Sequence, residues 1–165
     1  MNYLYVGKIV STHGIKGEVK IISNFSLKEK IFVKDFNFYI GTNHIKEVVK
    51  TYRKHKQYDM VTFEGYNNIN QVLKYMKNNV YVLREDLNLS SDDILESDLI
   101  GLNAYHNEEF FGVVNDIYVT GKNYKVFEII NKGTKKTLIP YHKDFIEKID
   151  ISNKMISFKG DIFND

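Results

Sequence analysis

The residues of this sequence with the clearest capacity for chemistry lie near its start. His13 is followed by two glycines, Gly14 and Gly17, and then by Glu18. An imidazole and a carboxylate this close in sequence form a candidate acid–base pair. Glycine adopts backbone angles that other residues avoid, so this pair of glycines favours a shaped loop. The stretch is open to three interpretations: a catalytic turn, a phosphate-binding loop, or a surface presented to a partner.

The rest of the chain lacks the groups that such chemistry needs. It contains no Gly-x-Ser-x-Gly, no P-loop, no Gly-x-Gly-x-x-Gly and no His-Glu-x-x-His. It also contains no cysteine, which excludes disulfides, thiol catalysis and cysteine-ligated metals. The histidines lack the spacing of metal ligands. The sequence therefore predicts no catalytic residue, no metal site and no cofactor, and the plainer interpretation of His13 is an imidazole that bonds nearby backbone and holds the loop in shape.

Length and composition limit the class of protein. The chain has 165 residues, 43% of them hydrophobic and one of them proline, which favours one globular domain or two small ones over disorder. No apolar run reaches the roughly 18 residues of a membrane span. The start of the chain lacks the basic and apolar regions of a secretion signal. We expect a cytoplasmic protein with no membrane partner.

The charge is divided unevenly along the chain. Residues 1–86 carry 14 lysines and arginines against 8 acidic residues, and residues 87–165 carry 9 against 13. The net charges of +6 and −4 suit a surface that faces RNA beside a surface that faces a protein, because phosphates attract basic domains. The alternative is a chance distribution of solvated charges.

The first half of the sequence has the pattern of short strands. Alternating apolar residues separated by turn residues predict strands over residues 3–10, 18–23, 36–40, 45–52, 60–63 and 80–83. The basic stretch 53–57 is then the tip of a hairpin and is either a solvated loop or a phosphate contact. Few helices among many short strands indicate a small β-barrel.

Two short helical segments interrupt these strands. Residues 26–32 have the capping-box spacing, with Ser26 followed by Glu29. Residues 69–76 follow Asn68 and Asn70, either of which is a candidate N-cap. Helical spacing predicts a core-facing side of the second segment made of Ile69, Val72, Leu73 and Met76.

A change of composition marks the boundary between two parts. Residues 84–97 are acidic, polar and without alternation, as in a linker. Strands are predicted beyond it over 102–105, 110–119, 126–130, 138–141, 145–151 and 155–158, with a turn at 132–134 and a helical turn around 142–144. We therefore predict a mainly β chain: a barrel domain over residues 1–86, a linker over 87–97 and a second small barrel over 98–165, with one or two short helices.

Two separated motifs resemble one protein family. Residues 7–20, Gly-Lys-Ile-Val-Ser-Thr-His-Gly-Ile-Lys-Gly-Glu-Val-Lys, resemble the N-terminal signature of the bacterial ribosome maturation factor family RimM. Residues 98–101, 116–117, 120–121 and 138–141, together with Gly112, resemble its second domain, a PRC barrel, in the family's order and spacing. The glycines of these motifs are expected to be structural: Gly7, Gly14, Gly17, Gly101, Gly112 and Gly121.

The resemblance implies a fold and a function. The fold is a six-stranded N-terminal barrel, similar to the β-barrel domains of translation factors, followed by a PRC barrel. The function is that of a non-enzymatic assembly factor, which binds the head of the immature small ribosomal subunit through protein nineteen of that subunit and assists 16S rRNA folding and processing. No small-molecule substrate and no cofactor are implied. From the residues alone, a general RNA-binding module and an enzyme acting through His13 stay open as alternatives.

The resemblance also implies candidate contact residues. Those expected to bind the ribosomal protein are Ile94, Leu95, Asp98, Lys122, Tyr124, Pro140 and Tyr141, and those expected to face RNA are His13, Lys16, Arg53, Lys54 and Lys56. The chain departs from the family at two of these places. Ile94 and Leu95 stand where the family usually has two aromatic residues, so a contact there would be aliphatic. Residues 120–124 replace the family's Thr-Gly-Ala-Asn-Asp with Thr-Gly-Lys-Asn-Tyr.

Overall fold

The chain folds as two compact units built mainly from β-strands. The computed structural model describes residues 1–90, 92–131 and 135–160, and the units are Met1–Asp93 and Ile94–Asp165. The mainly β class predicted from the sequence is confirmed. No helix in the described segments is long and apolar enough to cross a membrane.

The first unit is a closed six-stranded barrel with the order β1-β2-β5-β4-β3-β6. Its strands are β1 (Tyr3–His13), β2 (Glu18–Ser23), β3 (Asn37–Ile40), β4 (Ile45–His55), β5 (Tyr58–Phe63) and β6 (Asn79–Leu83). Alternate residues of each strand point into the barrel, as with Val80 and Val82 of β6, which are fully buried. The period of the sequence pattern therefore sets which face of each strand is inside.

Strands β1 and β2 approach each other closely at Gly7. A Cβ atom added to Gly7 would lie 2.1 Å from the carbonyl oxygen of Ile22, which is far inside van der Waals contact. The pairing of β1 with its neighbours shifts register twice, between Ile9 and Ser11 on the β2 side and between Tyr5 and Gly7 on the β6 side. Such shifts bend a strand and help it to close a barrel. Position 7 therefore requires glycine, because any side chain would clash with the backbone of β2.

Two hairpins are longer than the sequence pattern indicates. Strand β1 continues to His13, which pairs with Glu18, so the turn is confined to the residues between them. Strand β4 continues to His55, which pairs with Tyr58. The prediction that Arg53 lies in the hairpin tip is wrong, because the ladder between β4 and β5 extends across polar residues that lack apolar alternation.

The two helices of the first unit are single turns. Helix α1 (Lys28–Ile31) has Leu27 as its N-cap with no side-chain capping bond, so the predicted cap by Ser26 is wrong. Helix α2 (Ile69–Val72) has the predicted Asn68 cap, completed by Gln71 as a capping box. These two residues exchange hydrogen bonds of 3.2 and 3.3 Å between side chain and backbone.

The core-facing side of the second helical segment differs from the prediction. Val72 is buried as expected, but Leu73 is 50% exposed and Tyr75 is buried instead. The α-helix ends at Val72 and continues as a 3₁₀ turn over Leu73–Tyr75. A 3₁₀ turn has three residues per turn rather than 3.6, so it rotates a different side chain toward the core.

A buried carboxylate ties α1 to the β4–β5 hairpin. The Asp59 side chain is fully buried and accepts hydrogen bonds from the Lys28 ammonium at 2.8 Å and the Tyr52 hydroxyl at 2.7 Å. Lys54 lies 3.6 Å away on the outer side. A buried charge needs such partners to offset its lost hydration.

The second unit is a six-stranded sheet with the order β10-β9-β8-β7-β12-β11. Its elements are α3 (Glu96–Leu99), β7 (Asn103–His106), β8 (Glu109–Val119), β9 (Lys125–Asn131), β10 (Lys135–Pro140), β11 (Ile146–Asp150) and β12 (Met155–Phe158). Strands β7 and β12 are parallel and the other neighbours are antiparallel. The buried core includes Leu99, Phe127, Ile129, Ile139 and Phe158.

The stretch predicted as a linker contains ordered structure. Residues Arg84–Leu87 form a 3₁₀ turn, and α3 occupies the end of the stretch. Leu87 and Leu95 are both nearly fully buried. The helical turn predicted around 142–144 is a 3₁₀ turn, Lys143–Phe145, capped by the His142 side chain. The turn predicted at 132–134 lies outside the described residues, and the domain limits at 86 and 98 stay predictions.

Candidate functional site

Three separate segments of the second unit meet at Lys125, the first residue of β9. The Lys125 ammonium forms an ion pair with Glu96 of α3. It also lies 4.9 Å from the centre of the Tyr141 ring, just beyond β10. The Tyr141 ring stacks on the Phe127 ring with centroids 4.8 Å apart. The backbone N–H of Tyr141 donates to the Lys125 carbonyl at 2.9 Å. Lys125 thus connects α3, β9 and the end of β10.

This arrangement places charged groups in a partly apolar setting. Burial lowers the pKa of the Lys125 ammonium, and burial raises the pKa of the Tyr141 hydroxyl. The carboxylate of Glu96 and the face of the tyrosine ring both offset the lost hydration of the ammonium. A partly desolvated ion pair beside an aromatic ring is a site that a partner surface can complete.

The turn between β8 and β9 lies beside Lys125 and is held by its own hydrogen bonds. The Thr120 N–H donates to the Tyr124 carbonyl at 2.8 Å, and the Asn123 N–H donates to the Thr120 carbonyl at 2.9 Å. Lys122 is exposed and the Tyr124 side chain is 54% exposed. The turn therefore presents a cation and an aromatic ring on a fixed backbone.

The structure brings most of the predicted protein-binding residues to this one end of the sheet. Pro140 pairs with Val126, next to Lys125. Ile94, two residues before α3, is half-buried against the core that also packs Tyr141. Asp98, in α3, is half-buried, and its N–H donates to the Leu95 carbonyl at 2.9 Å.

Leu95 differs from the rest of this set. Its side chain is 2% exposed, so Leu95 does not form part of the exposed surface. Ile94 and Leu95 stand where the family usually has two aromatic residues. Of these two side chains, that of Ile94 is partly exposed.

Sequence reasoning missed three residues here: Glu96, Val119 and Lys125. Val119 is 58% exposed and is the cross-strand partner of Lys125. Nothing in the sequence distinguishes Lys125 from the other lysines, because its role follows from the pairing of β9 with its neighbours. We name the surface made of Ile94, Glu96, Val119, Tyr124, Lys125 and Tyr141 the Lys125 end.

The glycines of the two motifs have different structural roles. A Cβ atom on Gly112 would lie 2.7 Å from the Ile130 carbonyl oxygen, so Gly112 allows close approach of β8 and β9, as Gly7 does for β1 and β2. Four of the motif glycines have a positive φ: Gly14, Gly17, Gly101 and Gly112. Gly121 does not have a positive φ, and a Cβ atom added to it would meet no atom within 4 Å. The turn therefore does not require glycine there.

In the first unit, the predicted RNA-facing residues divide into two groups. Arg53 donates from Nε and Nη2 to the two carboxylate oxygens of Glu18, at 2.9 and 2.8 Å. Lys54 lies near the buried Asp59. These two cations are paired within the protein. Lys16, in the β1–β2 turn, and Lys56, in the β4–β5 turn, are exposed.

His13 lies beside this pairing and not in a catalytic arrangement. Its ring is 5.9 Å from the ring of His55. The hydrogen bonds from Arg53 hold the pKa of Glu18 below its usual value. A carboxylate held ionised in a two-bond pair is a weak base. The acid–base interpretation of His13 with Glu18 therefore finds no support in this geometry.

The neighbouring cations also act on His55. Burial, followed by the charges of Arg53, Lys56, His13 and Lys20, lowers the pKa of His55. Lys20, which sequence reasoning missed, lies 5.0 Å from the centre of the Tyr58 ring. Within the segments that the structure describes, no group of three or more histidine or acidic residues is arranged to hold a metal ion.

Comparisons with known proteins cover nearly the whole chain. Residues 4–87 match the family model of the RimM N-terminal domain, and residues 96–161 match that of the RimM PRC barrel domain. The chain is 40% identical over 162 residues to a protein named ribosome maturation factor RimM from Ligilactobacillus salivarius, covering 94% of this chain and 95% of the relative. It is 41% identical over 156 residues to the protein of that name from Staphylococcus haemolyticus, covering 92% of each.

Two solved structures are similar to this chain at low sequence identity. A putative 16S ribosomal RNA processing protein RimM from Pseudomonas aeruginosa is 19% identical, with 96% of this chain and 97% of that chain covered and a TM-score of 0.44. The N-terminal domain of RimM from Thermus thermophilus is 13% identical, with 54% of this chain and 98% of that chain covered and a TM-score of 0.46.

Proposed function

The chain belongs to the RimM family of ribosome maturation factors, and we propose that it acts in the cytoplasm as a non-enzymatic assembly factor of the small ribosomal subunit. The second unit binds a protein of the subunit head, protein nineteen by family resemblance. The first unit lies against 16S rRNA and assists its folding and processing.

The observation that carries this proposal is the convergence of three segments at the Lys125 end. Val119 and Tyr124 expose apolar area beside the Glu96–Lys125 ion pair. Exposed aromatic and aliphatic groups around a partly desolvated charge are typical of the energetically dominant part of a protein interface. Residues 87–165 carry a net charge of −4, which complements a basic ribosomal protein.

The first unit supports an RNA contact through lysines of the β1–β2 and β4–β5 hairpins. Lys16 and Lys56 are exposed in the turns, and Lys20 lies on the adjoining strand β2. Arg53 contributes less net charge, because Glu18 neutralises it. Phosphate contacts made by lysine position a protein on RNA without reading its sequence.

Binding to purified immature small subunits tests the proposal. The full chain is expected to co-sediment with immature subunits and to be retained by purified head proteins. Tyr124→Ala is expected to weaken both, since it removes the exposed ring of the Lys125 end. The matched control is Phe110→Ala, because Phe110 is a similarly exposed ring, 49% against 54%, outside the Lys125 end. Failure of the unaltered chain to bind subunits or head proteins, at low salt too, contradicts the proposal.

A general RNA-binding module is the second candidate, favoured by the exposed lysines of the first unit. Such a module binds naked RNA with a steep dependence on salt and needs no protein partner. In that case Tyr124→Ala leaves subunit binding unchanged. Lys56→Ala is expected to weaken binding under either function, so Tyr124→Ala is the variant that separates the two.

A further inference from the structure

A row of tyrosines lies on the outer surface of the first barrel. Tyr39 of β3 pairs with Tyr81 of β6, and Tyr81 pairs with Tyr5 of β1. Residues directly opposite each other on neighbouring strands share a face of the sheet. The residues that alternate with them, among them Phe38 and Val80, fill the barrel interior. The tyrosines are therefore outside, although most aromatic rings in small barrels belong to the core.

These rings are held in place by one another. Tyr3 stacks on His44 with centroids 3.8 Å apart and an interplanar angle of 7°. Tyr81 makes edge contacts with Tyr5 at 5.9 Å and with His44 at 5.0 Å. Tyr39 lies beneath them and is 9% exposed, whereas Tyr5 is 56% exposed. We name Tyr3, Tyr5, Tyr39, His44 and Tyr81 the tyrosine face.

Charges around the tyrosine face are arranged unevenly. Lys46 is the cross-strand partner of Tyr39, and Lys8 is the partner of Asn79, one row from Tyr81. Both lysines are exposed. Burial, followed by the charges of Asp86 and Glu85, which come after the opposite end of β6, raises the pKa of the Tyr39 hydroxyl. The two lysines lie on β1 and β4, the strands that flank β6 and β3 in the barrel, and both are suited to contact phosphate.

We propose that the tyrosine face stacks the bases of a single-stranded RNA segment, with Lys8 and Lys46 contacting its phosphates. Bases stack on exposed aromatic rings in single-strand binding proteins, and cations beside the rings follow the backbone. The rings are already ordered by their mutual contacts, so binding costs little side-chain entropy. The choice of RNA as the polyanion rests on the ribosomal function proposed above. This surface is distinct from the lysines of the β1–β2 and β4–β5 turns.

Substitution of the most exposed ring tests the proposal. Affinity of the full chain for a fluorescein-labelled oligoadenylate is measured by fluorescence anisotropy. Tyr5→Leu is expected to weaken binding by about 5- to 150-fold, the loss of one base stack. Tyr5→Phe retains the ring and is expected to bind nearly as well as the unaltered chain. Phe110→Leu is the control for loss of an exposed ring elsewhere.

Salt dependence separates the rings from the lysines. Tyr5→Leu is expected to leave the slope of log K against log salt unchanged, because stacking releases no counterions. Lys8→Ala and Lys46→Ala are each expected to reduce that slope by about 0.7. The chain contains no tryptophan, so Tyr5→Trp introduces a single indole whose quenching by oligoadenylate reports stacking directly. This readout stays informative even if Tyr5→Leu impairs folding.

Three results would overturn the inference. The first is unchanged RNA affinity of Tyr5→Leu together with an unquenched indole in Tyr5→Trp. The second is an equal loss in Phe110→Leu, which would indicate a general effect. The third is a loss of subunit binding without a loss of RNA binding, which would indicate a protein partner on this face. If the unaltered chain binds subunits normally in these cases, the proposed function stands and only this inference fails.

Discussion

The buried carboxylate of Asp59 offers the sharpest test of how the first barrel is held together. Asp59→Asn keeps the size of the side chain but removes its charge. The Lys28 ammonium and the Tyr52 hydroxyl, 2.8 and 2.7 Å from the carboxylate, then lose an ionised acceptor. Because these bonds join α1 and β4 to β5, we expect the first unit as a whole to be destabilised.

The magnitude follows from the exposure of the partners. The Asp59 side chain is fully buried, whereas the Lys28 side chain is 31% exposed and regains water when its partner is lost. We therefore expect the ion pair to contribute about 1 kcal/mol to the free energy of unfolding, as a solvated pair does, and not the larger value of a fully buried pair. The hydrogen bond from Tyr52 to a charged acceptor contributes about 1.5–3 kcal/mol. We expect Asp59→Asn to lower the free energy of unfolding by about 2–4 kcal/mol.

Urea denaturation of the full chain, followed by circular dichroism and tyrosine fluorescence, measures this loss. Lys54→Met is the matched variant, since it removes only the more distant cation, which lies 3.6 Å from the carboxylate and is 52% exposed, and it is expected to cost less than about 1 kcal/mol. A loss below about 1 kcal/mol in Asp59→Asn would refute the reasoning, because the Tyr52 bond alone exceeds that value. So would equal losses in the two variants.

Three further perturbations follow from the same structure. Burial and the bond to Asp59 raise the pKa of Tyr52 to about 12, whereas an unfolded tyrosine titrates near about 10. The contribution of Tyr52 to the free energy of unfolding should therefore be complete below about pH 10 and be lost as the pH rises toward 12. Tyr52→Phe should reduce this loss when the free energy of unfolding is measured against pH. Tyr75→Phe removes a hydroxyl that donates to the buried Glu47 and should lower the urea midpoint by the equivalent of about 1.5–3 kcal/mol; an unchanged midpoint would contradict the assigned bond. Gly7→Ala places a Cβ atom 2.1 Å from a β2 carbonyl oxygen and should lower the thermal midpoint of the first unit, whereas the control Gly121→Ala, in open space, should change stability by less than about 0.5 kcal/mol.

Local patterns in the sequence were sufficient for the fold class and for the existence of the strands. Alternation in residues 80–83 predicts β6, and Asn68 with Gln71 has the composition of the capping box that forms. The two RimM-like motifs are also legible without a structure, because each is built from short contiguous runs of residues. These features depend on neighbours in the chain, so the sequence contains them directly.

The candidate site was predictable only in part. Residues 140 and 141 belong to a recognisable motif, residues 122 and 124 directly follow another, and the structure brings all four to one end of a sheet. Lys125 and Glu96 belong to no motif and are 29 positions apart in the chain. Leu95 is conspicuous in an acidic stretch, yet it is buried and is not part of the exposed surface.

The tertiary structure alone decides which side chains meet. Glu18 and Arg53 are 35 positions apart, and their pairing changes a basic stretch into a partly neutralised one. Tyr5, Tyr39 and Tyr81 come from three strands, and only the register of a closed barrel aligns them on its outer surface. Alternation along a strand determines which residues share a face of that strand. Strand order and register determine which residues of other strands lie beside them, and these depend on contacts between distant parts of the chain.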